Sequence, residues 1–252
     1  MISLMEDPLL RMQGVSHVTF WGVSFEVCRG TAVVVRDGAS CRIEDCTIRN
    51  TGGVGVSVTG GTGHRIAGCE VTGNGAGAVS IAGGDRKTLT PAGHAVEDCD
   101  LHHFARSVRT YQPGVRVGGV GNRVAHNHIH HAPHSAILFG GNDHRLEFNE
   151  VDHVCQETDD AGAFYIGRDW TTRGHLILHN HFHDIGTTLG AHGTHHVYLD
   201  DCASGVTIRG NFFEGGFRAM FIGGGRDNVV EGNLFVDSDP ALWVDQRGIG
   251  WA

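Results

Sequence analysis

The segment RVAHNHI (residues 123–129) is followed 22 residues later by RLEFNEV (145–151), which has the same order of polar, apolar and asparagine positions. Further copies of this pattern, with Cys or Asn at its fifth position, are RIEDCTI (42–48), RIAGCEV (65–71), AVEDCDL (95–101), LILHNHF (176–182), TIRGNFF (207–213) and VVEGNLF (229–235). A ninth copy, TFWGVSF (19–25), has Val23 at that position. Nine copies spaced 22 to 31 residues apart indicate a stack of similar structural units.

A second apolar run precedes each copy from residue 42 onward. Two large apolar residues flank one variable residue in the pairs Val33/Val35, Val56/Val58, Val79/Ile81, Val115/Val117, Ile137/Phe139, Phe164/Ile166, Val197/Leu199 and Met220/Ile222. Such alternation is typical of a β-strand with one buried face. Two short strands and glycine-rich turns per repeat therefore predict an all-β fold, a right-handed parallel β-helix of about nine coils. A leucine-rich repeat is excluded because its Leu-x-x-Leu-x-Leu frame is absent.

One column of the aligned repeats holds only small or amide side chains after the first copy. Its members are Cys46, Cys69, Cys99, Asn127, Asn149, Asn180, Asn211 and Asn233. Stacked asparagines can hydrogen-bond to one another and to the backbone of a turn. We expect an asparagine ladder that continues into buried, structural cysteines. The pattern gives no role to Cys28, Cys41, Cys155 or Cys202.

Composition narrows the partners of the chain. The formal net charge is −9 over 252 residues, and Lys87 is the only lysine, so we expect neither nucleic acid nor an anionic membrane as a partner. No apolar run is long enough to span a bilayer, no secretory signal segment is evident, and no C-x-x-C pair suggests a zinc ribbon. We expect no cofactor. Cellular location and oligomeric state stay open.

Two aspartate pairs lie in aligned parts of neighbouring coils, in ETDDAGAFYIGRD (157–169) and VYLDDCASG (197–205). Asp200 and Asp201 occupy positions where most other coils have glycine, which predicts a concavity around them. Tyr165 and Tyr198 would offer flat surfaces for sugar rings, and Arg168 would lie one rung, about 5 Å, from Asp201. These features favour a carbohydrate site over the simpler alternative, a solvated acidic turn with an ion pair.

Histidines and carboxylates alternate along the strand that follows the Cys/Asn column. One position reads Asp100, His128, Glu150, His181, and the position two residues later reads His102, His130, Asp152, His183, Glu214. The favoured interpretation is a hydrogen-bonded surface ladder that separates like charges. The alternative is a zinc or manganese site, for which His130, Asp152 and His183 are the candidate ligands.

Several strings resemble the β-helix enzymes of glycoside hydrolase family 141, which include an α-L-fucosidase acting on pectin and a xylanase. They are YQPGVRVGGVGNRVAHNHIHHAPHSAILFGGNDHRLEFNEV (111–151), ETDDAGAFYIGRDWTTRG (157–174), VYLDDCASGVTIRGNFF (197–213) and FIGGGRDNVVEGNLFVD (221–237). The resemblance spans roughly residues 9–251. It is most specific in DDAGAFYIGRDW, YLDD and GGGRDN. It implies a glycosidase acting on a plant cell-wall polysaccharide, of the pectic fucoside or xylan type.

The resemblance also implies two catalytic aspartates, one from each motif, which correspond to Asp160 and Asp201. Asp159 and Asp200 have the same spacing and are alternates, and Asp169 is a third because Asp160 precedes its strand whereas Asp201 follows its own. A glycosidase needs one carboxyl group as acid and another as nucleophile or base, roughly 5 to 10 Å apart. The expected substrate-binding residues are Tyr165, Arg168, His196, Tyr198 and Arg226.

Two other functions remain open. A polysaccharide lyase or epimerase is supported by fold analogy alone, and a non-catalytic carbohydrate-binding solenoid is the second alternative. Members of the family are longer than 252 residues. We therefore expect a single domain over residues 1–252 that is incomplete at both ends, a short or truncated relative.

Overall fold

In a computed structural model, which describes residues 4–186 and 192–250, three parallel β-sheets run along the whole molecule. Sheet 1 has ten strands: Leu10–Gln13, Val33–Arg36, Val56–Thr59, Val79–Gly83, Val115–Gly119, Ile137–Phe139, Ala161–Ile166, Thr194–Leu199, Met220–Gly223 and Leu242–Asp245. Sheet 2 has nine: Thr19–Trp21, Arg42–Glu44, Arg65–Ala67, Ala95–Glu97, Arg123–Ala125, Arg145–Glu147, His175–Leu178, Val206–Arg209 and Val229–Glu231.

Sheet 3 also has nine strands: Ser24–Cys28, Thr47–Thr51, Glu70–Thr72, Asp100–His102, His128–His130, Glu150–Asp152, His181–His183, Phe212–Glu214 and Leu234–Val236. The chain visits sheets 1, 2 and 3 in turn, and each strand pairs in parallel with the strands of the adjacent coils. The expected parallel β-helix of about nine coils is confirmed. The repeated seven-residue pattern forms a strand of sheet 2, a turn and a strand of sheet 3, and the second apolar run forms sheet 1.

The inward side chains of all three sheets form one continuous hydrophobic core from Met12 to Ile222. Pairs such as Val56/Val58 and Phe164/Ile166 are buried, as the alternation predicts. In the later coils Phe182, Phe213 and Phe235 stack along the axis, with ring centroids 5.1 and 4.9 Å apart. The burial of one apolar layer per coil stabilises the stack, because each coil covers the core of its neighbour.

The three corners between sheets differ in length. The corner from sheet 2 to sheet 3 always has two residues, as in 126–127. The corner from sheet 3 to sheet 1 varies from four residues (29–32) to twelve (103–114), and the corner from sheet 1 to sheet 2 varies from three (120–122) to eleven (84–94). Sheet 1 is therefore flanked on both sides by loops of variable length. The one regular helix in the described residues is the short 3₁₀ turn Arg247–Gly250. No helix in this part of the chain is long and apolar enough to cross a membrane.

The constant corner holds the asparagine ladder. The Asn180 carboxamide oxygen accepts hydrogen bonds from the Asn149 backbone N–H and Nδ2, at 3.0 and 2.9 Å, and Asn180 Nδ2 donates to Leu146 O and Asn211 Oδ1, both at 2.9 Å. Where the column holds cysteine, the thiol instead donates to the carbonyl two residues earlier, as Cys99 does to Glu97. The predicted ladder and its buried cysteines are confirmed, and all seven thiols are free.

A second ladder, which the repeat pattern did not reveal, lies at the corner before sheet 2. Its members are His64, His94, Asn122, His144 and His175. In each case a ring Nδ1 or amide oxygen accepts the backbone N–H of the preceding coil, for example Asn122 N–H to His144 Nδ1 at 3.1 Å. Burial lowers the pKa of His144 to about 4 and that of His175 to about 3. These imidazoles are therefore neutral structural acceptors.

Candidate functional site

The two aspartate pairs lie on the outer face of sheet 1, on adjacent coils. Strands Ala161–Ile166 and Thr194–Leu199 pair with Tyr165 opposite Tyr198. Asp160 directly precedes the first of these strands and aligns with Gly193, as expected, whereas Asp200 and Asp201 directly follow the second. The tyrosines connect the two ends: the Tyr198 hydroxyl donates to Asp160 Oδ1 at 3.3 Å, and the Tyr165 hydroxyl donates to Asp200 Oδ2 at 2.8 Å.

The two phenol groups stay protonated, so they act as hydrogen-bond donors. Burial raises the pKa of Tyr165, and its hydrogen bond to Asp200 raises it further. Burial also raises the pKa of Tyr198, with the charges of Asp200 and Asp160 acting in the same direction. The charges of Asp160 and Asp200 thus both raise the pKa of the Tyr198 phenol. They do so although Asp160 aligns with the residue before strand Thr194–Leu199 and Asp200 follows the end of that strand.

Asp200 and Asp201 lie among guanidinium groups. Arg168 Nε is 2.9 Å from Asp201 Oδ2, which confirms the expected neighbour across one rung. Arg247 Nη1 is 2.6 Å from Asp200 Oδ1 and 3.3 Å from Asp201 Oδ1. The Asp200 side chain is only 9% exposed, and a carboxylate this buried is stable only with such partners. Both side chains are therefore fixed in place by arginine contacts.

Arg247 was not predicted as a site residue, because it lies beyond the last repeat and no periodic signal marks it. Its guanidinium lies over the Phe221 ring, 5.1 Å from the centroid, and pairs with Asp245 at 2.7 Å. Gly223 makes room for it, since a Cβ there would lie 3.0 Å from Arg247 Cζ. The prediction that this glycine opens a concavity for substrate is therefore wrong: an arginine of the chain fills that space.

An open groove lies instead over the earlier glycines of the same column. Gly140 has no neighbour within 4 Å of an added Cβ, and at Gly118 the nearest is 3.6 Å away. The groove has a volume of about 460 Å³ and is lined by Arg86, Tyr111, Arg116, Val117, Gly118, Gly119, Leu138, Phe139, Gly140, Gly141, Tyr165, Ile166, Gly167 and Asp169. It ends at Tyr165 and Gly167, beside the Asp200 side chain, which lies 2.9 Å from a Cβ placed on Gly167.

Two expected substrate contacts are wrong. His196 does not face outward: it is 1% exposed and lies between the Phe182 and Phe213 rings, with centroids 6.0 and 5.8 Å away. The cause is a β-bulge, in which the His196 and Val197 N–H groups both donate to Ala219 O, so the alternation shifts by one residue. His195 takes the outward position and contacts Tyr198, 4.9 Å between centroids.

Tyr198 does not offer an open ring face either. It is 3% exposed, stacks on Phe221 with centroids 4.7 Å apart, and meets Tyr165 edge-on at 5.4 Å. Its contribution to the site is the hydroxyl group on Asp160. Tyr165 is half-buried and lines the groove, as expected for a substrate contact.

The alternates and Arg226 have other surroundings. Asp159 accepts the backbone N–H groups of His192 and Gly193 at 3.0 and 2.6 Å, which lowers the pKa of its carboxyl group, so it fastens the loop before strand Thr194–Leu199. Asp169 pairs with Arg86 at 2.7 Å at the rim of the groove. Arg226 is exposed and lines a neighbouring cavity of about 840 Å³ with Trp170 and Arg173, not the groove.

The three suggested metal ligands do not converge. His130, Asp152 and His183 stack in one column of sheet 3, with Asp152 paired to both neighbours in register. Among the described residues, His130 and Asp152 share a group with His131 whose ligand atoms lie within 4.8 Å of one another, whereas His183 belongs to a separate group with Glu150 and His181. The predicted trio is therefore wrong as a single metal site, although its members lie in a histidine-rich face.

Comparison with known proteins identifies the fold. Among solved structures, the chain is similar to one titled "Glycoside hydrolase", with a TM-score of 0.60 and 18% identity. The similarity covers 83% of this chain and 38% of that one, so the chain spans less than half the length of that protein. At this identity the match shows a shared fold alone. No curated protein matches the chain.

The family comparison is stronger, because it extends over most of the chain. Two overlapping segments, residues 9–91 and 89–235, match the model of the right-handed β-helix region. They contain nine of the ten strands of sheet 1, all but Leu242–Asp245, and all nine turns of the constant corner. The protein therefore belongs to the right-handed β-helix family.

Proposed function

We propose that this protein is a glycoside hydrolase that acts on a plant cell-wall polysaccharide, with Asp160 and Asp201 as its carboxyl pair. The observation that carries the proposal is the convergence of two aspartate-bearing coils on one pair of tyrosines, at the end of an open groove on sheet 1. The resemblance to glycoside hydrolase family 141 in YLDD and DDAGAFYIGRDW supports the same assignment, and so does the solved glycoside hydrolase with this fold.

The two carboxyl groups differ in a way that suits different roles. Asp201 contacts Arg168 and Arg247, which hold its side chain in one position. It is suited to act as nucleophile or base. Asp160 is exposed and receives a hydrogen bond from Tyr198, and no arginine or lysine pairs with it among the described residues. We assign Asp160 the role of the acid, the second role that glycoside hydrolysis requires.

The remaining residues would position the substrate and the pair. The groove over Gly118 and Gly140 would hold the sugar rings, with Tyr165 and Tyr111 as aromatic surfaces in its lining. Asp200 would hold Tyr165 and Arg247 in place through its two oxygens, at 2.8 and 2.6 Å. Arg247 lies against the carboxylates of Asp200 and Asp201. A sugar that reaches these carboxylates would have to contact or displace the Arg247 guanidinium group.

The experiment is one assay on xylan, pectin and fucosylated oligosaccharides. It measures new reducing ends and the absorbance of unsaturated products together, for the wild type and for Asp160→Asn, Asp200→Asn and Asp201→Asn. The matched control is Asp37→Asn, since Asp37 directly follows its own sheet 1 strand and has the same left-handed backbone, with φ of 54° against 43° at Asp201.

The expected result is release of reducing ends without absorbance, reduced at least about a hundredfold in Asp160→Asn and Asp201→Asn and unchanged in the control. Absorbance that rises with the reducing ends would replace the hydrolase with a lyase. Sugar binding without either product would leave a carbohydrate-binding solenoid and would remove the catalytic role of the aspartates.

A further inference from the structure

The outer face of sheet 3 contains two strands of the form His-x-His, His128–His130 and His181–His183. Residues two apart on a strand point to the same side, so each strand presents two imidazoles to the solvent. In both cases the paired strand of the preceding coil begins with a carboxylate, Asp100 opposite His128 and Glu150 opposite His181. The same arrangement of one carboxylate and two imidazoles is thus built twice, two coils apart.

Each set brings its ligand atoms together. Within the described chain, one carboxylate oxygen and two ring nitrogens lie within 4.8 Å of one another in Asp100/His128/His130, and again in Glu150/His181/His183. Four-coordinate zinc with ligands at 2.0–2.1 Å holds neighbouring ligand atoms about 3.3 Å apart. Rotation of side chains alone can close the remaining difference, because these side chains stand on a rigid sheet at the surface.

The second set is already close to that geometry. His183 Nε2 is 3.3 Å from Glu150 Oε1, and His181 Nε2 is 3.6 Å from Glu214 Oε2 of the next coil. His181 Nε2 is buried, and among the described atoms it has no hydrogen-bond partner. His183 Nδ1 lies 2.8 Å from Asp184 Oδ2. A carboxylate on the far nitrogen of a ligating histidine fixes the ring and is the usual support of a metal ligand.

In the first set a carboxylate of the next coil also contacts one of the two imidazoles. Asp152 Oδ2 lies 2.5 Å from His128 Nε2, and its other oxygen lies 2.5 Å from His153 Nδ1. His130 Nε2 is 2.9 Å from Asp100 Oδ1. The His128 and His130 rings also stack on each other, 4.0 Å apart, so ring nitrogens of both residues lie within 4.8 Å of an Asp100 oxygen.

We propose that these two sets are binding sites for a divalent transition-metal ion such as Zn²⁺, one held by Glu150, His181 and His183 and the other by Asp100, His128 and His130. Nitrogen and carboxylate oxygen ligands in this ratio suit zinc better than calcium or magnesium, which prefer oxygen alone. The sites lie on sheet 3, whereas the proposed carboxyl pair lies on sheet 1, so metal binding and hydrolysis are independent proposals.

The test is a titration of the chelator-treated whole protein with ZnCl₂ by calorimetry. We expect two ions per chain with Kd of about 1 µM or tighter. His181→Ala/His183→Ala should lose one equivalent, and His128→Ala/His130→Ala should lose the other. The matched control is His126→Ala/His179→Ala, because both of these histidines are exposed on turns and contact Phe148 rather than a carboxylate. It should keep both equivalents.

Cobalt provides a readout that does not depend on the alanine variants. Co²⁺ added to the wild type should give the visible absorption of a four-coordinate nitrogen and oxygen site, and Zn²⁺ should remove it. If the alanine double variants fail to fold, the same histidines are replaced by glutamine instead. The proposal is overturned if Zn²⁺ binds no tighter than about 100 µM, or if the control loses as much binding as the two double variants.

Discussion

The asparagine ladder allows a quantitative prediction for the replacement of Asn180 by alanine. The Asn180 side chain makes four buried hydrogen bonds, two as acceptor from Asn149 and two as donor to Leu146 O and Asn211 Oδ1. Alanine removes all four bonds, although Asn149 Nδ2 keeps its bond to Val124 O and Asn211 Oδ1 keeps the backbone N–H of residue 180. At about 1 kcal/mol for each net hydrogen bond, Asn180→Ala should lower the free energy of unfolding by about 4 kcal/mol.

The matched control is Asn233→Ala at the last rung of the same ladder. Asn233 makes three such hydrogen bonds, to the N–H and Nδ2 of Asn211 and to Ile208 O. It is half-buried, so water can replace part of what is lost, and we expect a cost of about 1–2 kcal/mol. Asn180→Cys should recover about 1 kcal/mol relative to alanine, since a thiol can donate to the carbonyl two residues earlier as Cys99 does.

The assay is urea unfolding followed by circular dichroism at pH 7.5. A cost for Asn180→Ala no larger than that for Asn233→Ala would show that the ladder bonds are not additive along the stack. A cost below about 1 kcal/mol would refute the claim that the constant corner depends on them.

Three further predictions concern the histidines, Arg247 and Tyr198. Burial holds the pKa of His144 near 4 in the folded chain, so the unfolded chain takes up its proton first as the pH falls. Stability should therefore fall between pH 6.5 and 4 by about 1.4 kcal/mol per pH unit. His144→Asn, which introduces the residue type found at Asn122, should flatten the dependence of Tm on pH, and an unchanged slope would contradict this cause. Arg247→Ala leaves the buried Asp200 without its cation and should cost about 2–3 kcal/mol in urea unfolding, whereas Arg209→Ala, which breaks an exposed pair with Glu231, should cost less than about 0.5 kcal/mol. Tyr198→Phe removes the hydroxyl group on Asp160 and should lower kcat on the best substrate at least about tenfold with little change in KM; an equal loss in Phe221→Leu, which only repacks the ring, would assign the effect to packing.

The sequence predicts the coils because their signals are local. The Cys/Asn column and the Val33/Val35-type pairs each recur from repeat to repeat. In these repeats the first bonds the backbone at a turn and the second is buried in the core. Arg168 beside Asp201 follows from the same register. Local periodicity is enough for features that repeat with every coil.

The errors arise where one coil departs from the repeat. The bulge before Val197 exchanges the faces of His195 and His196, and no residue type in THHVYL marks it. Arg247 reaches Asp200 across 47 residues, so its place depends on the path of the last coil. The histidine ladder of His64, His94, His144 and His175 was missed because the pattern was aligned from its apolar residues, although His or Asn stands just before it in most later copies.

The unequal corners have an evolutionary consequence. The two-residue corner of the asparagine ladder is the same in every coil, whereas loops such as 84–94 and 103–114, on either side of sheet 1, differ from coil to coil. Only residues at the ends of these loops, such as Phe104 and His94, reach the core or a ladder. The exposed middle of each loop, such as 85–91, can therefore take insertions without disturbing either. Relatives can therefore acquire new specificity by exchanging these loops around an unchanged frame, and a designer can graft them in the same way.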